Sequence, residues 1–372
     1  MMADYVMIGG FLGAGKTTAV LSLAERLTAQ GRRVGLITND QSVGLVDTAL
    51  AVTGGFPVEE ITGGCFCCRF TSLTEAADRL QQRARPDVFV AEPVGSCTDL
   101  RASVSYPLRR LYGDAYRVAP LSVLIDPVRA ARIFGLEEGR SFSPRVRYVY
   151  EKQLEEADLI VINKLDLIDD TRLGQLRSEL QTRFPKAEVL AVSARHRVGL
   201  ADWFERIFGT ALSLRPSPEV DYDIYADGEA RLGWFNATIA VTSDGMADDA
   251  IDGNRLLGDL AVSIQARLAA EHIEIAHCKM TLTPEGFGTD LAALNLVRSD
   301  AAPELSHRLG DPLATGELLL NLRAEAAPDR LRSAVLGAIA DAESNGRATL
   351  RTVHAEAFSP PRPTPTYRMK TA

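Results

Sequence analysis

Between a short apolar run, Tyr5–Ile8, and a helix-like stretch, Thr18–Gln30, the chain carries Gly10-Phe11-Leu12-Gly13-Ala14-Gly15-Lys16-Thr17. The spacing G-x-x-x-x-G-K-[ST] constrains the fold more than any other stretch, because it needs a strand end, a curling backbone and a helix start in that order. Glycines let the main chain wrap anionic oxygens and aim its N–H groups at them. The helix that follows adds its positive N-terminal end. The pattern therefore assigns Gly10, Gly13, Ala14, Gly15, Lys16, Thr17 and Thr18 to phosphate binding. Lys16 would reach the β- and γ-phosphates, and the Thr17 hydroxyl would bind Mg²⁺.

Such a loop belongs on an open sheet, and the first half of the chain has the matching rhythm. Apolar runs at Tyr5–Ile8, Val34–Thr38, Asp87–Ala91, Leu121–Ile125, Leu159–Ile162 and Val189–Val192 alternate with helix-like stretches such as Thr74–Arg83, Val146–Glu156 and Thr171–Phe184. Strands alternating with helices of this length make parallel βαβ units. The expected fold class is α/β, a P-loop NTPase with an open, mostly parallel sheet and flanking helices, spanning residues 1–211. Pro216 and Pro218 break the pattern, so 212–220 reads as a linker. Strand-like Trp234–Val241, Ile273–Leu282, Asp290–Arg298, Gly316–Arg323 and Ala348–Ala357, with helices Arg255–Ala270 and Pro328–Ser344, suggest a smaller α+β domain over 221–358. Pro360, Pro361, Pro363 and Pro365 mark 359–372 as a disordered tail.

Two further motifs sit where strands end. Asn163-Lys164-Leu165-Asp166 follows Leu159–Ile162. A carboxylate at Asp166 can accept from both the N1–H and the exocyclic amine of guanine, whereas adenine would leave it unpaired. Two charge-assisted bonds support ~10²–10⁴-fold selectivity. Val192-Ser193-Ala194-Arg195 is the matching backbone loop, so Asn163, Lys164, Asp166, Ser193 and Ala194 are the base-reading set. Glu92-Pro93-Val94-Gly95 follows Asp87–Ala91. Glu92 is placed to hold Mg²⁺, and the Gly95 N–H to approach the γ-phosphate. Asp40 ends another strand and is placed to face the attacking water or Mg²⁺. Lys16, Asp40 and Glu92 are the expected catalytic group.

Cys65-Phe66-Cys67-Cys68 cannot staple a fold from one short segment, so metal or redox chemistry is the better reading. Neighbouring thiolates suit a soft or borderline ion such as Zn²⁺. Cys97, beyond Glu92, is a further thiol with a route to the cluster. Packing of the cysteines as small hydrophobes is the alternative.

Taken in order, Gly10–Thr18, Cys65–Cys68, Glu92–Gly95 and Asn163–Asp166 resemble the CobW-type GTPase family over residues ~4–210. Its members are metallochaperones related to hydrogenase- and urease-maturation GTPases. The resemblance implies GTP hydrolysis, slow in isolation, coupled to delivery of zinc, cobalt or nickel to a client metalloprotein, with GTP and Mg²⁺ as cofactors and a nucleotide-dependent homodimer as one form of partnership. Two departures stand out. Gln41-Ser42-Val43 replaces a Phe-Gly-Glu-like stretch after Asp40, and His196, His272, His277, His307 and His354 are scattered where relatives often carry a histidine-rich tract.

A metal-free assembly factor for a metallo- or cobalamin-dependent enzyme, and an ATP-using kinase or ligase, are the rival readings. A net charge of −8 argues against nucleic acid or an anionic membrane as partner. No apolar run reaches membrane-spanning length, and the four apolar residues ahead of the glycine loop are too few for a secretory core, so the cytoplasm is the expected compartment.

Overall fold

Burial on both faces is what makes a strand continuously apolar, and the strands of the first half read that way because helices cover both sides of their sheet. In the computed structural model, which describes residues 2–39, 54–209, 215–243, 250–286, 290–345 and 348–371, they are β1 (Ala3–Gly10), β2 (Val34–Asn39), β3 (Val58–Ile61), β4 (Val88–Glu92), β5 (Tyr116–Val118), β6 (Ser122–Ile125), β7 (Leu159–Ile162) and β8 (Glu188–Ala191). Their order is β3-β2-β4-β1-β6-β7-β8, with β5 also against β1, and every pairing among them is parallel. The order reverses about β1, so the crevice beside its C-terminal end is where an open α/β sheet takes a ligand.

Helix α1 (Lys16–Ala29) buries Ala19, Val20, Leu23, Ala24 and Leu27 at helical spacing against this sheet. Trp203 is fully buried and donates its indole N–H to Ser122 Oγ at 3.0 Å, which satisfies its one donor. α2 (Phe70–Ala84), α3 (Tyr106–Tyr112), α4 (Pro127–Ile133), α5 (Pro144–Glu156), α6 (Asp170–Arg183) and α7 (Leu200–Gly209) complete the layers. Asp126 and Asp169 cap α4 and α6 by accepting the Arg129 and Arg172 N–H groups. No helix among the described residues is long and apolar enough to cross a membrane.

The chain divides into two units, and the division corrects two expectations. The first unit runs on to Gly228 and takes the chain back from Arg362, while the second is Glu229–Pro361. Helix α8 (Tyr222–Arg231), expected to open the C-terminal domain, thus belongs mostly to the first unit. Its tyrosines are the reason: Tyr225 is wholly buried and accepts the Thr98 N–H, and Tyr222 donates to Asp99 at 2.7 Å. The prolines at 216 and 218 mark an extended segment, and Ser217 N–H there donates to Lys370 O.

The proline-rich tail, expected to be disordered, is bonded to the first unit. Prolines remove donors and favour extended backbone. Three of the donors that remain find acceptors there: Thr366 N–H on Cys67 O at 2.9 Å, Met369 N–H on Ala102 O at 2.8 Å, and Thr364 N–H on Cys68 Sγ at 3.2 Å. Arg368 pairs with buried Asp99 at 2.7 Å, and Tyr367 meets Phe70 edge-on.

Within the second unit, β9 (Leu232–Ser243), β10 (Ile275–Pro284), β11 (Ala292–Leu296), β12 (Glu304–His307), β13 (Thr315–Glu325) and β14 (Ala348–Phe358) form an antiparallel sheet in the order β12-β11-β10-β13-β9-β14. Helices α9 (Gly253–Ala270) and α10 (Pro328–Asn345) supply Leu257, Leu260, Ile264, Leu331 and Val335 to the core formed with Ile239, Met280 and Leu320.

Candidate functional site

At the end of β1 the backbone takes conformations that only glycine adopts easily. Gly10 has φ +132° and Gly15 φ +89°, and a Cβ on them would stand 2.3 Å from Leu124 O and 2.5 Å from Asn163 Nδ2. Gly15 caps α1 without any side-chain hydrogen bond, and the first turn has no acidic residue. The helix thus presents its first N–H groups and positive end without a carboxylate in the way, unlike α4 and α6. Lys16 is buried, with Nζ 3.4 Å from Phe11 O. The Thr17 hydroxyl donates to Glu92 Oε1 at 3.1 Å, so the two expected Mg²⁺ ligands lie side by side. Thr18 is exposed at the helix start. Past Glu92, Gly95 passes so close to the phosphate loop that a Cβ would meet Leu12 N at 3.0 Å.

The base-reading residues are tied to the same loop. Asn163 donates to Ala14 O and accepts from the Ala194 N–H, both at 2.9 Å, bridging the two loops. Lys164, held at φ +57°, donates to Gly13 O at 2.6 Å and pairs with Asp126 at 2.9 Å. Ser193 donates to Asp166 Oδ1 at 2.6 Å. Asp166 sits at this edge, partly exposed. Asp40 and its neighbours Gln41, Ser42 and Val43 lie outside the described residues.

The cysteine loop follows β3. Cys65 and Cys67 are buried and Cys68 is half-buried. The Sγ separations are 2.7 Å for Cys65–Cys67, 3.3 Å for Cys65–Cys68 and 3.7 Å for Cys67–Cys68. Hydrogen bonds from Cys67, Cys68 and Cys97 hold the Cys65 thiol well below its usual range. Hydrogen bonding to Cys65 pushes Cys67 up and Cys68 to about 11.

Several residues that position these groups carry no motif. Asn39, the last residue of β2, donates to Ile61 O at 3.0 Å and Gly64 O at 2.8 Å, and accepts from the Phe66 N–H at 2.9 Å. It stitches the cysteine loop to the sheet, and its neighbour Thr38 is in register with Glu92 across β2 and β4. Gln153 donates to both Gly95 O and Cys97 O, at 2.9 and 2.8 Å. Asp126 carries a weak signal, an acid before a proline, which marks its helix cap but not its hold on Lys164.

Just beyond Cys97, wholly buried Arg101 pairs with Asp158 at 2.5 Å and donates to Glu156 O. The Glu156 carboxyl accepts the Arg101 N–H at 2.8 Å, and burial pushes it up to about 8.

A glycine cradle at a strand end, an uncapped helix and a switch-point sheet define a P-loop nucleotide-binding protein, here with a thiol cluster at the same sheet edge. Residues 4–191 match the family described as CobW/HypB/UreG, nucleotide-binding domain. The chain belongs to that family. It is similar to the zinc chaperone CobW of Sinorhizobium sp, 28% identical over 52% of this chain and 60% of that protein. It is also similar to the zinc chaperone YeiR of Escherichia coli (strain K12), 34% identical over 43% of this chain and 46% of that one. The chain thus spans 60% or less of the length of these curated relatives. Among solved structures, the hydrogenase maturation factor HypB from Archaeoglobus fulgidus is similar over 56% of this chain and 89% of that chain, with 20% identity and a TM-score of 0.39.

Proposed function

We propose that this protein is a GTPase that binds a transition metal, zinc foremost, at Cys65, Cys67 and Cys68 and delivers it to a client metalloprotein. One observation carries the reading: the cysteine loop and the Thr17–Glu92 pair hang from adjacent strands, through Asn39 on β2 and Glu92 on β4. In this reading the Gly10–Gly15 backbone and α1 hold the phosphates, and Lys16 places its charge on the β- and γ-oxygens. The Thr17–Glu92 pair fits Mg²⁺, which would neutralise charge developing on those oxygens. Asp166 and the Ser193–Ala194 loop take guanine, while Asp40 orients water. The isolated protein turns over slowly, because such switches often await a partner, a client or a second copy, to complete the site.

The experiment is a zinc titration of the full chain with GDP and with a non-hydrolysable GTP analogue. Linkage makes any effect reciprocal, and a ~5–150-fold difference is the usual size. Equal zinc affinities in both states would defeat coupled delivery. ATP replacing GTP with the same effect would favour the kinase-like reading, and a chain binding GTP but no metal would favour the assembly factor.

A further inference from the structure

Three thiols leave a tetrahedral ion one ligand short. Zinc in a closed site takes four ligands, with Zn–S about 2.3 Å, which sets sulfurs ~3.8 Å apart. Cys67–Cys68 at 3.7 Å is at that spacing and Cys65–Cys68 at 3.3 Å is near it, while Cys65–Cys67 at 2.7 Å has to open by ~1 Å to take an ion. Among the described residues, no histidine or carboxylate joins the three sulfurs that lie within 4.8 Å of one another. Cys97 is the next thiol: it is hydrogen-bonded to both Cys65 and Cys67, but its sulfur lies outside the set within 4.8 Å, so closing the site takes a side-chain movement toward Cys68. Cys97 is 1% exposed, so it is shielded from bulk solvent. Its backbone is fixed as well, by the Gln153 amide on Cys97 O and by the Cys97 N–H on Val94 O at 3.0 Å.

We infer that Cys97 is the fourth thiolate of the metal site, closing it as a tetrahedral set of four sulfurs. The inference rests on the metal-binding reading above and adds a ligand from a different segment, the loop after β4. On binding, the thiols lose their protons to solvent and no electron is transferred. The Thr364 N–H on Cys68 Sγ supplies a donor to the resulting negative sulfur, as supporting groups around metal thiolates do. Four thiolates in a tetrahedron suit Zn²⁺ and Co²⁺ and disfavour Ni²⁺, which prefers square-planar N and O donors. The placement also matters for control. Cys97 rides on the loop that follows Glu92 and carries Gly95, so one of the four ligands belongs to the segment beside the phosphates.

The test counts sulfurs. X-ray absorption of the zinc-loaded full chain should give four sulfurs at about 2.3 Å. In Cys97→Ser the count should fall to three. Zinc affinity should drop at least ~10-fold, because loss of a supporting group outside the ligand set already costs that much. The Co²⁺-loaded wild type should lose about a quarter of its sulfur-to-metal charge-transfer intensity on the same substitution, one thiolate of four. Should Cys97→Ser fold poorly, Cys97→Ala and the wild-type sulfur count carry the same information. Three sulfurs in the wild type, with binding unchanged in the variant, overturn the fourth ligand and leave the chaperone reading standing. No metal in the wild type, or none lost in Cys67→Ser, overturns both.

Discussion

At the phosphate loop the geometry is enforced from within: Gly10 and Gly15 have left-handed backbones and no room for a Cβ, and the helix start follows at once. At the cysteine loop it is enforced from outside. Cys65, Cys67 and Cys68 are held by Asn39 on a strand, contacted by Cys97 from the loop after β4 and bonded along one side by Thr364 and Thr366 from the far end of the chain. A phosphate site needs orphan backbone donors, which one turn supplies. A thiolate site needs several side chains converging, and neighbours on one short segment cannot surround an ion. If that contrast is right, substitutions in the first region should act on nucleotide alone, and substitutions far from the cysteines should still reach the metal.

The sharpest break is Lys16→Ala. GTP hydrolysis should fall at least ~100-fold, while zinc stoichiometry stays unchanged; loss of zinc as well would show that the two regions are not separately built.

Next comes the buried network behind Cys97. Glu156 titrates at about 8 when folded and near 4.5 when unfolded. Between those values the folded state holds a proton that the unfolded state has lost. The stability this group supplies is therefore complete below pH ~4.5 and declines until pH ~8, by on the order of a few kcal/mol. Urea denaturation at pH 5, 6.5 and 8 should show that slope, and Glu156→Gln should flatten it. An unchanged slope would mean the carboxyl is charged in the fold.

Asp166→Asn should weaken GTP by ~2 kcal/mol, roughly 30-fold, and improve xanthosine triphosphate. Competitive binding of the two nucleotides reads both changes, and unaltered preference would remove Asp166 from the base site.

Asn39→Ala takes three hydrogen bonds from the cysteine loop and should lower zinc affinity ~10-fold with a smaller effect on GTP. Calorimetry with each ligand separately decides it. Equal losses for both would place Asn39 in the nucleotide site.

The smallest change is Thr366→Val, which removes the hydroxyl donor on Cys68 O. About 1 kcal/mol or less of stability should go. A thermal scan showing no shift would indicate that this bond adds nothing to tail docking.

The same contrast explains what could be read from the residues alone. Strands such as Leu159–Ile162 and helix Lys16–Ala29 are legible because a sheet buried on both faces imposes apolar runs and α1 imposes helical spacing. Tyr116–Val118 has only three residues, too few to show a period, and Glu304–His307 is mostly exposed, so neither carries a signal. The motifs around Gly10, Glu92 and Asn163 are local and could be found. Asn39 and Gln153 act through space across long sequence separations, and nothing beside them in the chain announces it, whereas Cys97 could be suspected as a thiol beyond a strand end. Tail docking escaped for a related reason. Prolines describe only the loss of local bonds and say nothing about acceptors elsewhere.

The strand pairing of the second unit bears on that docking. β9 opens the unit and β14 closes it, and the two pair so that Trp234 stands opposite Phe358. The unit's outgoing chain is thereby delivered next to its incoming chain. Closing an unstructured loop of this length would cost about 4 kcal/mol. The folded sheet has already met that requirement, so Thr364 and Thr366 reach the cysteine loop at a high effective concentration. Loss of order in the sheet would dilute them, and the hydrogen bonds of Thr364 and Thr366 to Cys67 and Cys68 would weaken although no residue of the cysteine loop had changed.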